Sequence, residues 1–205
     1  QGFALNYGIG AWDAAGDPYN WSAYGFNGSS AWNWVWNATV QSGSVKVSSI
    51  QDQGATIYGD GLPDFAEVGW LKYSSDVPKF FVAWHNANGY NHVIYNAAPV
   101  NQAHNFTVTY QGYSPNGWGG TYLWYGWFDS TFALQVWNRT RYIAPVTAEE
   151  HNSGGDDGGT DFWSIRELNS RSEWQYPSNL GLFKDLDPWY YFSKIDNTHW
   201  KALRQ

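Results

Sequence analysis

Along most of the chain, apolar and polar residues alternate in short runs separated by clusters of Gly, Asn, Ser, Asp and Pro. A period of two marks strands and such clusters mark turns. Strands are predicted over residues 31–40, 45–50, 65–73, 79–85, 91–96, 105–111, 121–128, 132–138, 141–148 and 161–168. Short strands at this spacing predict an all-β fold, a two-sheet antiparallel sandwich of jelly-roll type with little helix. Residues 121–138, TYLWYGWFDSTFALQVWN, read as a hairpin turning at Asp129–Ser130. Only the last thirty residues, with NLGLFKDLDPWYYFSKIDNTHWKAL, leave room for a short helix. HNSGGDDGGTD (151–161) has the composition of a flexible loop. No internal repeat and no dividing linker breaks the pattern, so residues 1–205 are expected to form a single domain.

Two runs stand out within the pattern. In FAEVGWLKY (65–73), alternation puts Phe65, Glu67, Gly69, Leu71 and Tyr73 on one face and Ala66, Val68, Trp70 and Lys72 on the other. Both faces are largely apolar, so Glu67 is expected close to a core, a setting that raises a carboxyl pKa. In AWNWVWNATV (31–40), strict alternation puts Trp32, Trp34 and Trp36 together. The plain expectation is that this face packs inward between two sheets. The alternative is a stacking platform for sugar rings or peptide side chains in an open groove.

Composition narrows the picture. Fifteen Trp, fifteen Tyr and eleven Phe make the chain 20% aromatic, whereas charged residues are only 14%. Aromatics favour strands, while Gly and Asn favour turns. A net charge of −7 with eleven Lys and Arg argues against nucleic acid as a partner. No apolar run is long enough for a membrane helix, so no membrane association is expected. The absence of Cys removes disulfides, thiolate nucleophiles and Cys-based zinc sites together. Low charge, many aromatics and a chain that opens on Gln1 predict a mature, secreted, extracellular protein acting as a monomer. Sequons at Asn20, Asn27, Asn37, Asn105 and Asn138 would be glycan acceptors in a eukaryotic host.

Several chemistries lack their patterns. There is no G-x-S-x-G elbow and no H-E-x-x-H, and no cofactor or metal is expected. YGDGLPDFAE (58–67) loosely follows a calcium loop through Asp60, Asp64 and Glu67, but Thr56 and Tyr58 stand where acids belong. A turn capped by Asp60 and closed by Pro63 explains it better. The Asp156–Asp157 pair in its Gly-rich loop is a weaker calcium candidate. Carboxylate chemistry is left, in which two acids sharing a site split their pKa values, one a base and one a proton donor. Glu67 is one candidate. Glu149 and Glu150 in RYIAPVTAEEHN (141–152), and Glu167 in DFWSIREL, are possible partners. Alternation puts Glu150 on the more apolar face of its strand, with Tyr142, Ala144, Val146 and Ala148.

AEVGWLKY, followed by PKFFVAWHNANGY and VIYN, resembles the neprosin-type proteins, whose Glu-x-Gly-Trp strand leads into an apolar strand ending near Gly-Tyr. Their domain is a β-sandwich like that of the fungal glutamic peptidases called eqolisins. AEEHN with its Gly/Asp-rich loop is similar to the family's second Glu region, and AYGFNGSSAWNWVWNATV to its lead into an Asn- and Trp-rich strand. The family's Cys residues are missing here.

The resemblance implies an endopeptidase active at acid pH, in which two carboxyl groups activate water against a peptide carbonyl without metal. Glu67 would be the first catalytic acid, and the motif prefers Glu149 over Glu150 as the second. Trp32, Trp34, Trp70, Trp84, Trp124 and Trp127 are the aromatic candidates for holding a polypeptide substrate. Two other readings stand beside this one: a glycan-binding or glycan-active sandwich, and a secreted member of the family that keeps the fold without the chemistry.

Overall fold

The alternation seen in the sequence is realised as fifteen strands in a computed structural model that describes residues 7–15, 26–54, 59–139, 146–151, 159–185 and 190–204. They are β1 (Tyr7–Asp13), β2 (Gly28–Val35), β3 (Val45–Gln53), β4 (Phe65–Tyr73) and β5 (Lys79–Asn86). Next come β6 (Gly89–Ala97), β7 (Gln102–Tyr113), β8 (Tyr122–Phe128), β9 (Thr131–Asn138) and β10 (Val146–His151). The last are β11 (Thr160–Leu168), β12 (Trp174–Gln175), β13 (Leu180–Asp185), β14 (Tyr190–Asp196) and β15 (His199–Arg204). No helix occurs among the described residues, so the final segment is a set of strands where a short helix had room.

One sheet runs β13-β1-β10-β3-β4-β5-β6 and the other β14-β15-β11-β2-β7-β8-β9, with β12 on the flank of β11. Neighbouring strands are antiparallel throughout. The first sheet is called A here and the second B. The β8–β9 hairpin turns where the sequence predicts, with Phe128 opposite Thr131 and Asp129 at φ 52°, a conformation that Asp tolerates better than most residues.

The core lies between the sheets. Ile50, Ala66, Val68, Trp70 and Val82 from sheet A meet Ala31, Val35, Phe106, Val108 and Trp124 from sheet B. Several of the polar groups that enter it are paired, as burial favours, although the Trp124 and Trp200 indole nitrogens have no partner among the described residues. The Trp70 indole donates to Asn33 Oδ1 at 2.6 Å, and Asn33 Nδ2 donates to Thr160 Oγ1 at 2.8 Å and to the Asp161 carbonyl at 2.9 Å. The Ser48 and Thr160 hydroxyls also bond to each other, tying β3 to β11.

The strand AWNWVWNATV departs from the inward-facing expectation. Ala31, Asn33 and Val35 fill the core, while Trp32 and Trp34 face solvent on the outside of sheet B, each 40% exposed. β2 ends at Val35, so the alternation stops before Trp36. Trp36 turns inward instead and meets Trp70 edge-on at 5.3 Å between ring centroids, with Lys46 Nζ 5.0 Å from its own centroid. Of the sequons, Asn37 is exposed and Asn138 is fully buried, which closes Asn138 to modification. Asn105 spends its amide on Ser30 Oγ and the Ala31 carbonyl. Asn20 lies outside the described residues.

Candidate active site

The central strands β3 and β4 of sheet A are buried on both faces, whereas β6 at its edge is largely exposed. The outer face of the sheet carries a second apolar cluster of Val45, Val47, Phe65, Leu71, Phe81 and Ala83, with Tyr90 packed against it. Strand β4 is therefore buried at every position but the last, which accounts for its two apolar faces. Alternation sends Ala66, Val68 and Trp70 to the core, so Glu67 stands on the outer face among the second cluster.

Glu67 is 4% exposed. Ser49 on β3 donates its hydroxyl to Glu67 Oε1 at 2.6 Å. Gln51 stands directly opposite Glu67 in the β3–β4 register and is equally buried, while Ala83 flanks Glu67 from β5. A carboxyl, a hydroxyl and a primary amide thus meet on one patch of an otherwise apolar face. The next outward position on β4 is Gly69, and no side chain fits there. A Cβ would lie 2.1 Å from the Ser48 carbonyl oxygen and 2.6 Å from Ser49 Cβ. The glycine leaves the face bare beside the carboxyl group.

Beyond Phe65 the face ends in a second polar pair. His85 is fully buried and its Nε2 lies 2.6 Å from Asp60 Oδ2. The His85 ring stacks on Phe65 with centroids 6.4 Å apart. Hydrogen bonds to His85 first and to the Leu62 amide second hold the Asp60 carboxyl below its usual pKa of 3.8. The Leu62 bond, 3.1 Å from Asp60 Oδ1, caps the turn expected at this position. Asp64 is used elsewhere, accepting from the Arg139 amide at 2.7 Å, so the three acids of the calcium-like loop do not converge. Among the described residues, no three His, Asp or Glu side chains form a metal-binding group. The Asp156–Asp157 pair lies outside them.

The second acids fall in different places. β10 pairs with β3, putting Glu149 opposite Val47 and Glu150 opposite Lys46. Val47 belongs to the outer cluster and the next residue along, Ser48, bonds to sheet B. By register, Glu149 thus shares Glu67's face of the sheet and Glu150 falls on the opposite one. β3 separates Glu149 from Glu67, and the step from Val47 to Gln51 offsets them by four positions. That amounts to about 10 Å across the sheet and about 13 Å along it, beyond direct hydrogen-bond reach. Glu167 is in sheet B, buried beside Ser29 and Gln175, and does not approach Glu67's face.

The aromatic candidates are corrected by the same geometry. Trp70 and Trp124 are fully buried between the sheets, and Trp84 packs against that core. Trp32, Trp34 and Trp127 belong to the outer side of sheet B. None of the six is on Glu67's face: Trp70 and Trp84 alternate with residues that are, and the other four belong to sheet B. Sequence reading also passed over Ser49 and Gln51. Their signal was present in VKVSSIQDQ, where outward positions of a fully buried strand change from Val to Ser and Gln.

No family model matches the sequence, and no curated protein resembles it at a significant level. Solved structures do. Scytalido-glutamic peptidase with a peptide-based transition-state analogue aligns over 98% of both chains, with a TM-score of 0.64 and 12% identity. SCP-B, an eqolisin-family peptidase in complex with the tripeptide Ala-Ile-His, aligns over 98% of both chains at a TM-score of 0.59 and 13% identity. The likeness is one of fold, and it spans the whole length of these chains.

Proposed function

We propose that this chain is a glutamic-type endopeptidase, active at acid pH on extracellular polypeptides, with its chemistry on the outer face of sheet A. The observation that carries the reading is Glu67, a carboxyl group buried on an apolar face with a hydroxyl on one oxygen and an amide beside it. Burial there costs free energy that a purely structural residue would avoid. The fold shared with two peptidases seen with peptide ligands supports it.

In this reading Glu67 handles the proton of an attacking water, Ser49 fixes the orientation of its carboxyl group, and Gln51 offers its amide to the developing oxyanion. Glu149 is the second acid of the proposal. An extended peptide rises about 3.3–3.6 Å per residue, so about five substrate residues span the register distance between the two. At that distance Glu149 contacts the bound peptide away from the bond that breaks, and Glu67 itself passes the proton taken from water to the leaving amine.

The test is cleavage of a denatured protein between about pH 2 and 7, a span that titrates carboxyl groups. Glu67→Gln keeps the side-chain shape and removes the titrating group, so cleavage is expected to fall about 10²–10⁴-fold. Its melting temperature is expected to hold or rise, because an amide costs less to bury than a carboxylate. Gln51→Ala should lower kcat with a smaller effect on KM, since an oxyanion donor acts mainly in the transition state. Undiminished cleavage by Glu67→Gln, or abolition of wild-type cleavage by a chelator, refutes the mechanism.

A further inference from the structure

On the outer side of sheet B, the four strands from β2 to β9 break the usual pattern of a solvated antiparallel face, which is polar and charged. Strands β2, β7, β8 and β9 contain no Asp, Glu, Lys or Arg at all, although the chain carries a net charge of −7. In place of charges the face presents rings. Trp32 and Trp34 on β2 are each 40% exposed and Phe132 on β9 is 50% exposed. Tyr125, Trp127 and Phe132 hold one another edge-on, with centroids 4.9 to 5.9 Å apart, so their positions are fixed by packing.

Between the two groups of rings runs β7 with a ladder of neutral polar groups. Thr107 Oγ1 donates to Asn105 Oδ1 at 2.9 Å and lies 3.0 Å from Ser30 Oγ. Asn105 Nδ2 donates back to Ser30 Oγ at 3.2 Å. The rings flank a strip two strand spacings wide, about 10 Å.

We infer that this face binds a neutral polysaccharide, on the side of the sandwich opposite Glu67. The charge pattern selects the ligand. The nearest cation is Arg166 on the adjoining β11, opposite Ser30 and held over the Trp174 ring at 5.4 Å, so the four uncharged strands offer little to phosphates or an anionic membrane. A purely apolar partner would strip water from the partly exposed Asn105 and Thr107, whereas hydroxyls of a ligand can take its place. A sugar chain has apolar ring faces for the Trp planes and uncharged hydroxyls for the ladder, and it needs no charge on either side. Exposed aromatic area of this extent on a protein surface marks a binding surface. The inference is independent of the peptidase reading.

The test uses the intact chain in pull-downs with microcrystalline cellulose and chitin, and in affinity electrophoresis through gels containing a soluble neutral β-glucan. Wild type is expected to be retained by at least one of these probes, equally with and without about 1 M salt, because screening acts only on charges. The Trp32→Ala/Trp34→Ala double variant should lose at least about tenfold in affinity, and Trp34→Ala alone an intermediate amount, as removal of stacking rings predicts. Trp118→Ala, which removes a 76%-exposed ring from the turn after β7, should bind like wild type. Both Trp positions are at the surface, so the variants should keep the wild-type melting temperature and cleave or fail to cleave soluble peptides as wild type does. Absence of binding to every probe overturns the inference, as does equal binding by the double variant. A concentration-dependent dimer in sedimentation, abolished by the double variant, also overturns it, by making this face a contact between copies of the chain.

Discussion

Asp60 shows how one exposed carboxylate ties a turn to the candidate site. Its bond to His85 fixes residues 59–64 against the stack of His85 on Phe65, two positions before Glu67. The pKa of Asp60 is lowered in the folded chain, chiefly by His85. A lowered carboxylate pKa contributes stability that is complete above the unfolded value, here 3.8, and that is lost as pH falls through the lower folded value. Asp60→Asn should therefore be less stable than wild type at about pH 5, and the gap should close by about pH 2. Urea unfolding at the two pH values reads the difference, and a gap unchanged by acid would show that the pair contributes nothing through ionisation. Ser49→Ala is the companion change on the other side of the face. It removes a buried donor to Glu67 and should cost about 1–3 kcal/mol, readable in the same experiment.

At the scale of elements, β3 and β4 form the platform, and Gly69 sets how closely they lie. A methyl group there meets the backbone of Ser48 and the Cβ of Ser49, neither of which can move without shifting β3. Gly69→Ala should cost at least the 1–3 kcal/mol typical of overpacking, roughly 2–12 °C in melting temperature for a domain of this size. An unchanged melting curve would mean that the two strands are not paired in this register. Nine of the ten strands read from alternation are present, including FAEVGWLKY at its predicted limits, because period two survives wherever one face meets a core. The tenth, 141–148, lies outside the described residues up to 145 and overlaps β10 from Val146. Alternation failed where it was carried past a strand end, at Trp36. It showed two apolar faces on FAEVGWLKY but not which sheet or side each aromatic strand would join, so the Trp candidates fall away from Glu67's face. β1 and β13 to β15 were missed because their runs lack clean alternation, even where, as in the β14–β15 pair, the partner is the next segment of the chain. Glu67 was legible as an acid in an apolar strand. Ser49 and Gln51 were not, since only the β3–β4 register puts them beside it.

The whole molecule depends on how closely the two sheets approach. Gly126 on β8 is a point of contact, where an added Cβ would lie 2.5 Å from Val68 Cγ2 on β4. Gly126→Ala should destabilise by about 1–3 kcal/mol, and Val68→Ala in the same chain should relieve part of that loss, because neighbouring substitutions couple. Additive losses in the double variant would place the two residues out of contact. The order of strands in the sheets also has a consequence in time. β1 hydrogen-bonds only to β10 and β13, and β2 and β3 each take one partner from beyond residue 145. During synthesis the earliest strands must wait, with bare edges, for segments made near the end. Assembly of this kind is slow, on the order of milliseconds to seconds. Until β10 and β11 emerge from the ribosome, the nascent chain offers two open sheet edges to any chaperone, or to any neighbouring chain, that adds a strand.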